Sequence, residues 1–459
     1  MSIRQQRPLR AATGSDDSSI VFFHGTPFKF ETKIAGLHKG YVYGVAFSPD
    51  GSHLVSVGAD KRIQLYDGKT GEVKGQIGEG EHKGSIFGIS WAKDSKKFVT
   101  ASADQTVKLW DVEAGKAAQT WTFGEEGNVS VSDHQVGVTW PIGRSDGMVI
   151  SLNLNGDLNY LSEGSQRPTR IVQGHNHSIT AIGLTHGQEQ TLWTGSFEGR
   201  VCNWDILSGV GSVVEGQTHT NRVSGFSSTP NRVYSVGWDD TLRIVDEPVK
   251  TFVGDSLKLG AQPSGTASAN DRVFVATTLG IEIFSKDELV GSLVTSDYIP
   301  NSIAASGNLL AIGDEASAVH IYAVDSDHRL SSIKTLKKST APITSLAFSP
   351  SGSLLAVGNS TGKIVVYDTK SWEVVTDRWS AHTARVTSIA WNDDSTHAVS
   401  GGLDTNVHVW SLKSPGKRVK APNAHKDGVN GVCWVEGSAK VASVGGDAVV
   451  KIWRVQNLP

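Results

Sequence analysis

Apolar and polar residues alternate along this chain in short runs, as in Val107-Lys108-Leu109-Trp110-Asp111 and Ala318-Val319-His320-Ile321-Tyr322. Period-two alternation sends successive side chains to opposite faces of an extended strand. Each run is cut off by turn residues, as in Val45-Ala46-Phe47-Ser48-Pro49-Asp50-Gly51 and Leu346-Ala347-Phe348-Ser349-Pro350-Ser351-Gly352, which read as hairpin turns. Helical periodicity is hard to find. The pattern predicts an all-β chain of short antiparallel strands.

The runs also recur in a fixed phrase of a small residue, a turn aspartate and a closing aromatic: Ser102, Asp104, Trp110; Gly402, Asp404, Trp410; Gly445, Asp447, Trp453. The spacing is 44 residues from Tyr66 to Trp110 and 43 from Trp410 to Trp453. That is the roughly 40–45-residue period of a four-stranded propeller blade. Counted by the last residue of the third strand, eleven units end at Phe23, Tyr66, Trp110, Tyr160, Trp204, Val245, Phe284, Tyr322, Tyr367, Trp410 and Trp453. Propellers close with about four to eight blades, so eleven units must divide. Four plus seven leaves one whole ring. The reading is therefore an incomplete N-terminal propeller of about four blades over residues 1–170 and a complete seven-bladed propeller over 171–459. About three further blades are expected before Met1.

Loop histidines open six of the units: His38, His82, His175, His219, His382 and His425. A turn aspartate bonds its own turn amides, and a His–Ser–Trp chain beside it ties the loop to the blade, a buried network that persists only when every member is satisfied. These histidines are given structural work, and no metal site is expected. Carboxylate pairs Asp239/Asp240 and Asp393/Asp394 read as solvated turn residues.

Composition narrows the function. Fifty glycines against 14 prolines suit many tight turns. A formal net charge of −3 and a pI near 6.6 argue against nucleic-acid or anionic-membrane partners. Cys202 and Cys433 lie far apart in strand-like text, so no disulfide framework is expected and a reducing compartment is favoured. No apolar run approaches the roughly 18 residues of a membrane span, and Met1-Ser2-Ile3-Arg4-Gln5-Gln6-Arg7 is no secretory signal. A cytoplasmic protein is expected.

The text is more specific than a generic WD-repeat. The stretch Arg7 to Asp17, ending in Thr13-Gly14-Ser15-Asp16-Asp17, and Phe22-Phe23-His24-Gly25-Thr26-Pro27-Phe28-Lys29-Phe30 after it resemble the first propeller of the actin-interacting protein 1 family. Asp133-His134-Gln135-Val136-Gly137-Val138, Gly174-His175-Asn176-His177-Ser178 and Gly216-Gln217-Thr218-His219 are similar to the family as well. The resemblance runs from about Ile3 to Trp453. It implies a protein of two seven-bladed propellers, and this chain resembles such a protein without its first three blades. It further implies a non-catalytic monomer that binds actin filaments, cooperates with cofilin to disassemble them and restrains barbed-end growth.

Carried over motif by motif, the resemblance assigns the actin- and cofilin-binding surface to Asp16, Lys29, Phe30 and Tyr41. If Asp17 makes the turn's own bonds, Asp16 is left to face solvent. Alternation sends the rings of Phe28 and Phe30 to one side and the Lys29 ammonium to the other, and aromatic anchors ringed by charge suit an interface. The bland alternative has Phe28 and Phe30 plugging the space between blades.

Two competing functions are weighed. A general WD-repeat scaffold for protein complex assembly is the alternative, although no adaptor box or docking tail supports it. An enzyme is disfavoured: Gly209-Val210-Gly211 lacks the third glycine of a dinucleotide loop, and no G-x-x-x-x-G-K-[ST], H-E-x-x-H or C-x-x-C occurs. No cofactor is expected.

Overall fold

The computed structural model describes residues 1–124, 130–144, 146–186 and 190–456. The chain divides into two compact units, Met1–Gln173 and Gly174–Pro459. Among the described residues every sheet is antiparallel, with strands in sequence order, and the one helical turn is the 3₁₀ segment Val131–Asp133. Among the described residues no helix is long and apolar enough to cross a membrane.

The first unit holds four four-stranded sheets. Its first sheet is Ser2–Arg4, Arg10–Gly14, Ile20–His24 and Lys29–Ile34. The second runs from Val42–Phe47 out to Val73–Ile77. Sheet interfaces, not sheet interiors, form the core: Val55, Val57 and Ile63 of the second sheet pack on Ile86, Trp91, Phe98 and Trp110 of the third. Second strands such as Lys97–Ser102 are buried on both faces because a sheet lies against each side. Phe22, not Phe23, enters this core, packing with Val42, Phe47, Leu54 and Tyr66. Its neighbour is only half-buried.

The second unit holds seven sheets among the described residues, the last with three strands, Val429–Val435, Lys440–Gly445 and Val450–Arg454. One bond recurs between adjacent innermost strands. Thr180 Oγ1 donates to the Val223 carbonyl at 2.6 Å, Thr344 to Val386 and Thr387 to Val429, each at 2.5 Å. Asn430 makes the same bond back to the first sheet, donating to the Ile179 carbonyl at 2.7 Å. The Glu436 amide donates to Gln190 Oε1 at 2.7 Å beside it, and Leu192 packs with Val435 and Ala442. These contacts join the last sheet of the unit to its first.

The histidine relays are built as paired loop and strand. His82 Nε2 meets Thr100 Oγ1 at 2.8 Å, Trp110 Nε1 donates to the same hydroxyl at 2.7 Å, and His82 Nδ1 meets Asp104 at 2.8 Å. His382–Ser400–Trp410 with Asp404 and His425–Ser443–Trp453 with Asp447 repeat it. Burial raises the carboxyl pKa of Asp104, but the bond and charge of His82 outweigh it and hold the group below the usual carboxylate range. Asp239 belongs to such a relay, 2.9 Å from His219 Nδ1 and with a side chain only 8% exposed. It is not the solvated turn residue its sequence suggests, because the His219 loop folds over it. Sheets also interlock through turn glycines. At Gly199 (φ 95°) a Cβ would lie 2.2 Å from the His219 carbonyl oxygen of the next sheet, and at Gly362 (φ 92°) 2.3 Å from that of His382.

Candidate partner-binding surface

The four residues assigned from the resemblance all reach solvent, but they fall into two places. Asp16 lies in the turn between the second and third strands of the first sheet. Asp17 makes that turn's bonds: its Oδ1 accepts from the Ser19 amide at 3.0 Å and its Oδ2 from Lys33 Nζ at 2.7 Å. The Lys33 bond leads in holding the Asp17 carboxyl far below its ordinary range. Asp16 stays exposed, with only Ser15 Oγ, among the described residues, donating to it at 3.1 Å.

Tyr41 stands beside this turn. The next residue, Val42, donates its amide to the Ser15 carbonyl at 3.0 Å, and the Tyr41 carbonyl accepts from Ala59 at 2.8 Å. Its ring is 56% exposed and meets Tyr43 edge-on at 6.3 Å, while Tyr43 lies 5.2 Å from Phe87. Tyr43 and Phe87 extend the patch, and sequence reasoning missed both. They sit near the start of innermost strands, where period-two alternation alone does not say which face meets solvent.

Lys29 and Phe30 lie at the far end of the same sheet. Lys29 pairs with His24 and Ile34 with Ile20, so the length of the third strand, about 13 Å at 3.3 Å per residue, separates them from Asp16. The outermost strand has no neighbour beyond it, so Phe28, Lys29 and Phe30 are all exposed and alternation does not split them into inner and outer faces. Phe30 is 62% exposed and plugs nothing. Lys29 has no hydrogen-bond or ionic partner among the described residues. Glu31 pairs instead with Arg10.

The other unit holds an axial cavity of about 750 Å³ lined in part by Arg222, Trp238 and Arg385. The Arg222 guanidinium lies 4.8 Å over the Trp238 ring. Burial, with the charge of Arg385, lowers its pKa. The signal was available in the text, since His219-Thr220-Asn221-Arg222-Val223 and His382-Thr383-Ala384-Arg385-Val386 place arginine three residues after the loop histidine. Tyr41 occupies the same position after His38. This step of the repeat thus sets a side chain just ahead of an innermost strand in both units.

The sheets, relays and exposed rims define a WD-repeat β-propeller protein. A WD domain, G-beta repeat model matches residues 32–67, 76–111 and 416–454, and a Vps8 beta-propeller model matches 295–426. The chain is 40% identical over 387 residues to an uncharacterized WD repeat-containing protein of Schizosaccharomyces pombe, covering 83% of this chain and 62% of that one. It is 35% identical to WD repeat-containing protein 1 of Xenopus tropicalis (80% and 60%) and 33% identical to actin-interacting protein 1 of Caenorhabditis elegans (83% and 63%). The chain is thus homologous to proteins named WD repeat-containing protein 1 and actin-interacting protein 1. It spans about three-fifths of the length of these relatives.

Proposed function

We propose that this chain binds actin filaments and cooperates with cofilin to disassemble them and to restrain barbed-end growth, acting as a monomer on the cytoplasmic actin cytoskeleton. The observation that carries the reading is the similarity, over about four-fifths of the chain, to proteins named actin-interacting protein 1 in Caenorhabditis elegans and Drosophila melanogaster. In this proposal residues 1–170 are four blades of an incomplete ring, 171–459 form a seven-bladed ring, and the contact surface includes Asp16, Lys29, Phe30 and Tyr41. Their exposure supports it, because an aromatic ring held in water beside an unpaired lysine gains most when a partner desolvates it.

Co-sedimentation with actin filaments tests the function. The chain is expected to pellet with, or shorten, filaments more when cofilin is present. Equal results with and without cofilin would count against the proposal and favour the scaffold reading. Phe30→Ala is expected to weaken the cofilin-dependent effect about tenfold or more while leaving Tm nearly unchanged, since surface substitutions cost within about 0.5 kcal/mol. Full activity in that variant would remove Phe30 from the surface.

A further inference from the structure

The sheet formed by Val386–Trp391, His397–Gly402, Val407–Ser411 and Arg418–Ala421 departs from its neighbours at one position. Four residues after the relay aspartate, two other sheets of this unit carry a cation: Arg243 Nη2 lies 3.7 Å from Asp239, and Lys451 Nζ lies 3.7 Å from Asp447. The corresponding residue after Asp404 is His408. It is completely buried, and neither ring nitrogen has a hydrogen-bond partner among the described residues. A buried polar group left unpaired in this way is costly. Its ring stands edge-on to His382 at 4.6 Å between centroids, and one donor atom from each of His382, Asp404 and His408 lies within 4.8 Å of the others.

We propose that His382, Asp404 and His408 bind one divalent transition-metal ion of the zinc type, which supplies the positive charge that Arg243 and Lys451 supply in the sister sheets. Two imidazoles and a carboxylate are a donor set for zinc and its neighbours, whereas calcium and magnesium prefer oxygen ligands. Donors on one tetrahedral ion at about 2.0–2.2 Å stand about 3.4 Å apart. His382 Nδ1 and Asp404 Oδ1 are already 2.9 Å apart, and His408 closes on them without surrendering a hydrogen bond. With the ion on Nδ1, the single proton of neutral His382 resides on Nε2, where it donates to Ser400 Oγ, 2.8 Å away. That is the outer hydrogen bond expected of a ligating histidine. Asp404 Oδ2 still accepts from the Thr383 amide at 3.0 Å. The fourth ligand is water.

The test uses the full chain, stripped with chelator and titrated with Co²⁺ and then Zn²⁺. One Co²⁺ equivalent is expected to give the intense visible band of tetrahedral coordination, which Zn²⁺ abolishes. Zn²⁺ at about a hundredfold over its dissociation constant is expected to raise Tm by about 5 °C. His408→Lys installs the cation of the sister sheets and is expected to lose that equivalent, its band and the Tm response. His408→Gln, read alongside, is expected to lose the same three signals and keeps the outcome decisive if the lysine variant misfolds. Absence of Co²⁺ binding to the folded wild-type chain, or undiminished binding in the folded variants, overturns the proposal.

Discussion

Trp410→Ala is expected to destabilise the second unit by about 4 kcal/mol, within the range of roughly 3–5 kcal/mol for removing a buried tryptophan. The ring is 2% exposed. It stacks on Trp379 of the preceding sheet at 5.7 Å and 17°, and Trp379 in turn touches Trp391 at 5.9 Å. Truncation therefore opens a void between two sheets instead of at a surface that could collapse onto it. The loss also removes the Nε1 donor to Ser400 Oγ. Trp410→Phe separates the two effects: it keeps most of the packing, loses the donor, and is expected to cost about 1–2 kcal/mol. Urea unfolding at neutral pH in the presence of chelator reads both. Equal costs for the two variants would mean that the hydrogen bond, not the stacked ring, holds the interface.

Acid is expected to weaken the same unit through His175. Burial, with the charge of Arg200 added, lowers this imidazole's pKa to about 3. Its Nε2 meets Thr194 Oγ1 at 2.7 Å, while Nδ1 has no hydrogen-bond partner among the described residues. The relay carboxylate found elsewhere is replaced by Glu198, which pairs with His177 at 2.7 Å. In the unfolded chain His175 takes up a proton near pH 6.5; in the folded chain it resists to about 3. Its contribution is fully present above about 6.5 and is lost as pH falls toward 3, by roughly 4–5 kcal/mol in all, at about 1.4 kcal/mol per pH unit. Comparing unfolding free energy against pH for the wild type and His175→Gln isolates this residue from the other depressed histidines of the unit, His382, His408 and His425. The variant's slope is expected to be shallower by one proton. Parallel slopes would show that His175 does not titrate differently in the two states.

Strands and relays were readable because their determinants are local. Alternation fixes a strand within a few residues, and four of the five paired relay histidines, His38, His82, His382 and His425, stand 22 residues before their aspartate. The units ending at Phe284 and Tyr322, read mainly from alternation, both form sheets. What failed depends on neighbours distant in sequence. Asp239 reads as a solvated turn residue until the His219 loop covers it. Asp16 and Lys29 are 13 residues apart in the chain, but the intervening strand carries them to opposite ends of one sheet, and only pairing register reveals that. His408 was invisible for a deeper reason: what distinguishes it is the absence of partners, a property that exists only after folding.

The bond from Asn430 to Ile179 reaches across 251 positions, whereas its equivalents at Thr180, Thr344 and Thr387 reach across 42 or 43. The entropy lost in bringing chain ends together grows with the length enclosed, and long-range pairings are the slow ones. Assembly should then run as an arc of sheets growing by short-range steps, with the circle sealed last. Dissolution should begin at the same junction. Native-state hydrogen exchange is expected to show the amides around Gln190 and Glu436 opening at lower free energy than those between interior sheets, and uniform protection around the circle would refute this order.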